Sequence, residues 1–141
     1  GAQVAASLAL GAQGAWLGTL WLGTREHALP AALAAKLIAA GSEDTVITRA
    51  HSGKPCRVVR SAFSDEWEQP GAPQPLGMPY QQALTGELLA AVEEHEIEPL
   101  IYEAAGQSVA WLREIEPVAQ VMERLERQTR EALRSMAPYM S

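Results

Sequence analysis

Gly18-Thr19 is the residue pair in this sequence whose types best suit ligand binding. Glycine has no Cβ, so a ligand can approach its main chain closely, and the following hydroxyl adds a hydrogen-bond donor. At the C-terminal end of a buried strand, such a pair can hold a phosphate through main-chain N–H groups. Gly-Thr is also a common pair, so a tight strand-to-loop turn is the alternative interpretation.

The other residue types that carry chemistry are scattered along the chain. His27, His51 and His95 have no partner at metal-ligand spacing, so we expect them at the surface, and only His51, at a hairpin connection, is placed where it could reach a ligand. Cys56, the single cysteine, is expected to be a small buried hydrophobe, and a chain without a disulfide fits a cytoplasmic protein. These residues predict neither a metal site nor a catalytic group.

Charge and hydropathy restrict the partners. The formal net charge is −6 at pH 7, whereas a nucleic-acid-binding face needs clustered Lys and Arg. The most apolar stretch, Val4 to Leu22, is interrupted by polar residues and glycines, so it predicts a buried helix and strand and no membrane span. The expected partner is therefore a small-molecule substrate, with no nucleic acid and no membrane.

The elements that must position Gly18 and Thr19 come first in the chain. Apolar residues lie on nearly every side of Ala2 to Leu10, which predicts a helix buried around most of its circumference. The run Ala15 to Leu22 is apolar on both faces, as is typical of a parallel strand covered by helices. Together the two segments predict half of a βαβ repeat.

The middle of the chain predicts a mixed α+β segment. A helix is expected from Pro30 to about Ala40, with the proline in its first turn. Two β-rich runs, Thr45 to Ala50 and Cys56 to Ser61, are joined by a Gly/Pro connection and predict a hairpin. Asp65 to Pro79 is rich in proline and predicts an ordered loop.

Two further helices complete the predicted elements. The first runs from Tyr80 to about His95 and is expected to carry Leu84, Leu88, Ala91 and Val92 on its apolar side. The second runs from about Ile115 to Met136, with one face packed and the other solvated. Because the chain opens at Gly1 in an apolar helix pattern, without a cap or an initiator methionine, we also expect residues to be missing upstream.

A resemblance to a known family covers nearly the whole chain. The segment Val4 to Thr19, VAASLALGAQGAWLGT, closely resembles the segment that joins the last two barrel strands in nitronate monooxygenases, formerly called 2-nitropropane dioxygenases. Further similar segments follow in the same order: Glu43-Asp44-Thr45, Ser52 to Arg57, Pro79-Tyr80-Gln81-Gln82, Ala105 to Ser108 and Ile115-Glu116-Pro117-Val118. Two positions depart from the family pattern, since Leu20-Trp21 replaces a basic residue and Phe, and Ser108 replaces the second glycine of Gly-Gln-Gly.

The resemblance implies an α/β fold class, in which this chain is the C-terminal part of a (β/α)8 TIM barrel, its last βα unit, plus a small α+β and helical cap. A complete barrel needs about 200 to 250 residues, more than the 141 present. The implied division is residues 1–24 as the last barrel helix and strand with the phosphate turn, 25–110 as the cap with hairpin and Pro-rich loop, and 111–141 as the C-terminal helix.

The resemblance also implies a cofactor and its site. The family's corresponding Gly-Thr binds the FMN phosphate through the main chain, so Gly18 and Thr19 are expected to bind FMN. Gln107 and Ser108 are expected to line the substrate side. The family's catalytic histidine belongs to sequence upstream of Gly1, so this chain is expected to lack the catalytic base.

Three functions stay open at this point. The implied one is oxidation of alkyl nitronates with FMN and O2, by an enzyme of which this chain is a fragment. The second is an NAD(P)H-dependent quinone or enoyl-thioester reductase of the same barrel family. The third is a non-catalytic binding or assembly module, and the partners expected of the chain are an upstream barrel half or a second copy.

Overall fold

The computed structural model describes residues 1–139, and in that range the chain forms six α-helices and one two-stranded sheet. The helices are α1 (Ala2–Ala9), α2 (Thr19–Leu22), α3 (Ala31–Ala39), α4 (Ala62–Trp67), α5 (Tyr80–Glu94) and α6 (Val118–Ser135). The strands are β1 (Thr45–Thr48) and β2 (Cys56–Val59). Short 3₁₀ helices span Arg25–His27, Ser42–Asp44, Gln107–Trp111 and Ala137–Tyr139.

Helix α1 forms where the apolar pattern predicts it, but it is not buried around its circumference. It packs against α6, and Ala5 is its buried residue. Leu10, just past its end, is 90% exposed. The expectation of nearly complete burial is therefore wrong for the described part of the chain, because α6 covers only one side of α1.

The predicted strand Ala15 to Leu22 is not a strand in the structure. Thr19–Leu22 forms α2, since the chain turns at Gly18 (φ −111°, ψ −76°). Within residues 1–139, no main-chain N–H or C=O group of residues 14–17 makes a hydrogen bond. A strand is defined by such bonds to a neighbouring strand, and no other segment of the described chain pairs with this one.

The predicted hairpin is confirmed. β1 and β2 pair antiparallel, with Thr45 opposite Val59 and Thr48 opposite Cys56. The free edge of β2 continues the pairing, because Val59 N–H donates to Glu103 O (2.9 Å). The predicted helix after Pro30 is confirmed as α3, with Pro30 as its N-terminal cap residue.

One apolar core holds α3, the hairpin and the chain after α5 together. Its buried members come from α3, β2, α5 and the segment 101–112: Leu33, Leu37, Ala40, Val59, Val92, Ile101, Ala105, Val109 and Leu112. Burial of each Leu, Ile or Val side chain in this set stabilises the fold by about 1.5 to 3 kcal/mol relative to exposure. The 3₁₀ helix Gln107–Trp111 is thereby fixed against the core through Val109, which is fully buried.

Helix α4 was not predicted, because the prolines that follow it dominate the composition of the region. Its start is marked by a reciprocal cap, in which Ser61 Oγ accepts from Ser64 N (3.3 Å) and Ser64 Oγ accepts from Ser61 N (3.0 Å). The proline-rich segment that follows contains no helix or strand from residue 68 to 79, as a predicted loop requires. Gln81 is fully buried and ties this segment down, since its Oε1 accepts from Leu76 N (2.9 Å).

Helices α5 and α6 have nearly the predicted bounds, but their apolar sides are more exposed than predicted. On α5, Leu84 and Leu88 are 62% and 51% exposed, whereas Val92, expected on the same side, is buried. The buried side of α5 is partly polar, because Thr85 Oγ1 donates to the main-chain oxygen of His51 (2.9 Å). On α6 the one buried residue is Val121, while Met136 just beyond its end is 50% exposed.

Two remaining expectations concern the whole chain. Within residues 1–139, no helix combines the length and apolar character needed to cross a membrane. The three-part division of the chain stays a prediction, and the last two residues of its third part, Met140 and Ser141, lie outside the described residues.

Candidate functional site

The main chain at Gly18 is open on its outer side. A Cβ built on Gly18 would meet no atom within 4 Å. Within residues 1–139, the N–H groups of Gly18, Thr19 and Leu20 make no hydrogen bond. Three consecutive main-chain donors are thus available to an anion, as main-chain phosphate binding requires.

Thr19 connects this turn to the 3₁₀ helix Gln107–Trp111. Its Oγ1 accepts a hydrogen bond from Gly106 N (2.9 Å). A threonine hydroxyl also carries one donor hydrogen, and within residues 1–139 Thr19 uses its hydroxyl only as an acceptor. The hydroxyl hydrogen of Thr19 is therefore free to donate to a ligand.

A cavity of about 490 Å³ lies beside Gly18 and Thr19. Its volume falls within the range of small-molecule sites, about 300 to 1,000 Å³. Its walls come from the start of the chain, the turn, the 3₁₀ helix and α6: Gly1, Gln3, Val4, Trp16, Leu17, Gly18, Thr19, Leu20, Ser108, Trp111, Leu112, Val121, Arg124, Leu125 and Gln128. Among these described residues there is no carboxylate and no histidine, and Arg124 is the one basic side chain.

The structure brings three of the four predicted site residues together. Gly18, Thr19 and Ser108 line the cavity. Gln107 is exposed at the start of its 3₁₀ helix and does not line it. The binding roles of all four stay predictions. Trp16, expected in a buried strand, is instead 100% exposed and forms part of the cavity wall.

Arg124 is the site residue that sequence reasoning missed. It lies on α6, more than a hundred positions after Thr19, and no local motif links the two. Its Nη1 forms a short ion pair with both carboxylate oxygens of Glu116. The amphipathic pattern of α6 placed a helix here, but only the tertiary structure shows which of its charged residues faces the cavity.

His51 is buried, which contradicts the expectation of a surface histidine. It is 6% exposed, its ring stacks on Tyr102 (3.7 Å between centroids, 29°), and it packs at a tilt on Phe63 (5.1 Å). Neither ring nitrogen has a hydrogen-bond partner within the described residues. Burial lowers the pKa of His51 from 6.5 to about 4, so the ring is neutral at pH 7.

The alternative for His51 was contact with a ligand from the hairpin connection, but α5 and the segment after it fold over the ring. His51 lies on a separate cavity of about 390 Å³, away from Gly18 and Thr19, whose wall includes Glu93, Tyr102 and Glu103. The other two histidines, His27 and His95, are exposed as expected.

The remaining chemistry-bearing residues form no further site in the described chain. Cys56 is partly buried and unpaired, with its Sγ 3.7 Å from Arg57 O. No group of three or more His, Cys, Asp or Glu side chains within residues 1–139 is placed to hold a metal ion.

Two solved structures superpose on most of this chain. The nitroalkane oxidase of Streptomyces ansochromogenes superposes with a TM-score of 0.84 and 32% identity, over 96% of this chain and 38% of that chain. FabK of Thermotoga maritima superposes with a TM-score of 0.72 and 31% identity, over 96% of this chain and 42% of that chain. The described residues therefore have a mixed helix and strand fold found in these two proteins.

Sequence comparison gives the family. The family model described as nitronate monooxygenase matches residues 1–128, so the chain belongs to the nitronate monooxygenase family. A protein of Mycobacterium tuberculosis named as a monooxygenase is 45% identical over 129 residues, which are 90% of this chain and 32% of the relative. A nitronate monooxygenase of Paraburkholderia phytofirmans is 29% identical over 139 residues, 99% of this chain and 38% of the relative. The chain thus spans about a third of the length of these curated relatives.

Proposed function

We propose that this chain supplies part of the FMN phosphate site of a flavin-dependent oxidoreductase that oxidises alkyl nitronates with O2. The observation that carries the proposal is the row of three unpaired main-chain N–H groups at Gly18, Thr19 and Leu20 beside a cavity without a carboxylate. A phosphate monoester brings about −1.5 to −2 charges and three acceptor oxygens, which such donors match. The hydroxyls of Thr19 and Ser108 add side-chain donors to the same wall.

We also propose a fold for the start of the chain, in which residues 1–24 are the last βα unit of a (β/α)8 barrel. Residues 14–17 have unpaired donors and acceptors along the main chain, as a strand has when its neighbours are not beside it. Trp16 is fully exposed, although a large aromatic side chain on a strand normally packs. Both observations are explained if an upstream barrel half, in the same or another polypeptide, covers this segment.

FMN would supply the redox chemistry by accepting electrons from the substrate. The residues of this chain would bind and orient it: the N–H groups of Gly18 and Thr19 at the phosphate, and Ser108 as a donor across the cavity. The cavity wall contains no histidine and no carboxylate among the described residues, so a base that forms the nitronate from a neutral nitroalkane would have to come from outside this wall.

A nitronate-oxidising enzyme is preferred to the reductase alternative because the superposition on nitroalkane oxidase is closer than that on FabK, with TM-scores of 0.84 and 0.72. The two are separated by turnover assays of the natural polypeptide that carries these 141 residues, called the parent polypeptide below. O2 consumption with an alkyl nitronate and no NAD(P)H supports the proposal. NAD(P)H oxidation with a quinone or an enoyl thioester, and no nitronate activity, supports the reductase.

The phosphate site itself is tested by Gly18→Val, with Gly14→Val as the matched control. A Cβ meets no atom within 4 Å at either glycine, but only Gly18 lines the cavity. We expect Gly18→Val to weaken FMN binding about tenfold or more, since the side chain fills the approach to the main-chain donors. Equal FMN dissociation constants for wild type and Gly18→Val would refute the site, and a parent that binds no flavin would favour the non-catalytic module.

A further inference from the structure

Arg124 is the one cationic side chain on the wall of the cavity that Gly18 and Thr19 also line. Its position is notable because the chain as a whole is acidic, with a formal net charge of −6. Glu114 and Glu116 do not line this cavity; they line a neighbouring cavity of about 250 Å³, whose wall also includes Arg124. Among the side chains of the larger cavity's wall, Arg124 therefore supplies the positive charge.

The contacts of Arg124 leave most of its donors unused. An arginine guanidinium has five N–H donors, and within residues 1–139 Arg124 uses only Nη1, toward Glu116. The donors on Nε and Nη2 have no partner in that range. The side chain is 35% exposed, so it is partly desolvated and yet open to a ligand.

Glu116 is positioned to hold this guanidinium in place. Both main-chain polar groups of Glu116 are hydrogen-bonded. Its N–H donates to Gly23 O (3.0 Å), and its C=O accepts from Arg25 N (3.0 Å). Its side chain is 16% exposed, so the ion pair with Arg124 is partly shielded from water. A guanidinium fixed in this way loses less side-chain entropy when it binds an anion.

We propose that Arg124 is a phosphate-binding residue of this site, where its free guanidinium donors bind the phosphate together with the main-chain N–H groups of Gly18 and Thr19. The inference rests on the proposed function, since it assigns a role at the same cavity. An arginine fork matches the oxygen geometry of a phosphate, and each charge-assisted bond is about twice as strong as a neutral one. Arg124 would then distinguish a phosphorylated flavin from an uncharged one.

The test compares FMN with riboflavin, which lacks the phosphate, in the parent polypeptide. Dissociation constants come from quenching of flavin fluorescence for wild type, Arg124→Gln and Arg124→Lys. The matched control is Arg127→Gln, because Arg127 lies on the same helix, is 62% exposed and pairs only with Glu131. We expect Arg124→Gln to weaken FMN binding about tenfold or more and to leave riboflavin binding unchanged, with Arg124→Lys between the two and Arg127→Gln like wild type.

The other outcomes contradict either the role of Arg124 or the phosphate site itself. Equal loss of FMN and riboflavin affinity in Arg124→Gln, or no loss of either, would overturn the role of Arg124. A wild-type protein that binds riboflavin as tightly as FMN, or binds neither, would instead remove the phosphate site on which the inference rests.

A separate control for folding is needed, because Arg124→Gln leaves the Glu116 carboxylate without its partner. Arg124→Gln combined with Glu116→Gln removes both charges together and keeps two hydrogen-bonding side chains of similar shape. This double variant must show the same selective loss of FMN affinity, and unchanged FMN binding in it would contradict the proposal. The salt dependence of FMN binding must also be weaker in both variants than in wild type.

Discussion

Thr19 Oγ1 accepts a hydrogen bond from the main-chain N–H of Gly106 at 2.9 Å, which joins two segments that lie 87 positions apart in sequence. This bond holds the turn after Gly18 against the start of the 3₁₀ helix that carries Ser108. A Cβ on Gly106 would lie 3.4 Å from Thr19 Oγ1, so the two main-chain segments are closely packed. The geometry of the candidate phosphate site thus depends on a contact between its two halves.

Replacing Thr19 with valine tests that contact. Valine has the shape of threonine without the oxygen, so the Gly106 N–H loses its acceptor. Because this hydrogen bond is part-buried, we expect Thr19→Val to lower the free energy of unfolding by about 1 kcal/mol, and Thr19→Ser to retain most of it. Urea unfolding of the parent polypeptide measures the loss, and faster hydrogen exchange at the Gly106 amide locates it. Unchanged exchange in Thr19→Val would show that the bond does not hold the two segments together.

Gly53 is the glycine whose replacement should be most damaging. It has a φ of +82°, and a Cβ there would lie 2.4 Å from Leu76 O and 2.6 Å from Met78 N. Gly71 has a similar φ of +89° with no atom near its Cβ, so Gly71→Ala isolates the backbone cost. A left-handed conformation costs an alanine about 1 to 2 kcal/mol, and we expect Gly53→Ala to exceed Gly71→Ala by about a further 1 to 3 kcal/mol. Equal losses in urea unfolding would mean that the loop at Leu76 moves aside freely.

The sequence predicted those elements whose signals are local. Pro30 at the start of α3 and the Gly/Pro connection between β1 and β2 are short-range features that fix a helix start and a hairpin. The strand predicted around Trp16 needed a second strand to pair with, and its apolar residues alone could not show whether one is present. Apolar runs of that length are ambiguous without their neighbours.

The residues of the candidate site also differ in whether a local sequence signal identifies them. Gly18 and Thr19 were identified because they are adjacent in sequence and belong to a recognisable segment. Arg124 was missed because the packing of α1 against α6 places it on the same cavity wall as Thr19. No spacing in the sequence predicts that packing. The prediction that His51 is exposed was wrong for a related reason. A hairpin tip is normally exposed, and only the tertiary fold brings Phe63 and Tyr102 around the ring.

The burial of His51 predicts a pH-dependent stability. Its pKa is lowered to about 4 in the folded protein, against 6.5 in the unfolded chain, so between these values the unfolded state binds more protons. Stability due to His51 is therefore complete above about pH 6.5 and is lost as the pH falls toward about 4. The loss is about 3 kcal/mol, from roughly 1.4 kcal/mol per pKa unit.

His51→Phe removes the titrating group and keeps a ring that can stack on Tyr102. We expect the decrease in unfolding free energy between about pH 7 and about pH 4.5 to be smaller by about 2 to 3 kcal/mol in His51→Phe than in wild type, measured by urea unfolding of the parent polypeptide. Glu93 and Glu103 line the same cavity and are present in both proteins, so most of their own contribution cancels. His95→Gln, at an exposed site, should keep the wild-type pH dependence. If His51→Phe and wild type lose stability in parallel as the pH falls, the ring of His51 reaches water or a partner in solution, and its burial does not control the acid stability of the fold.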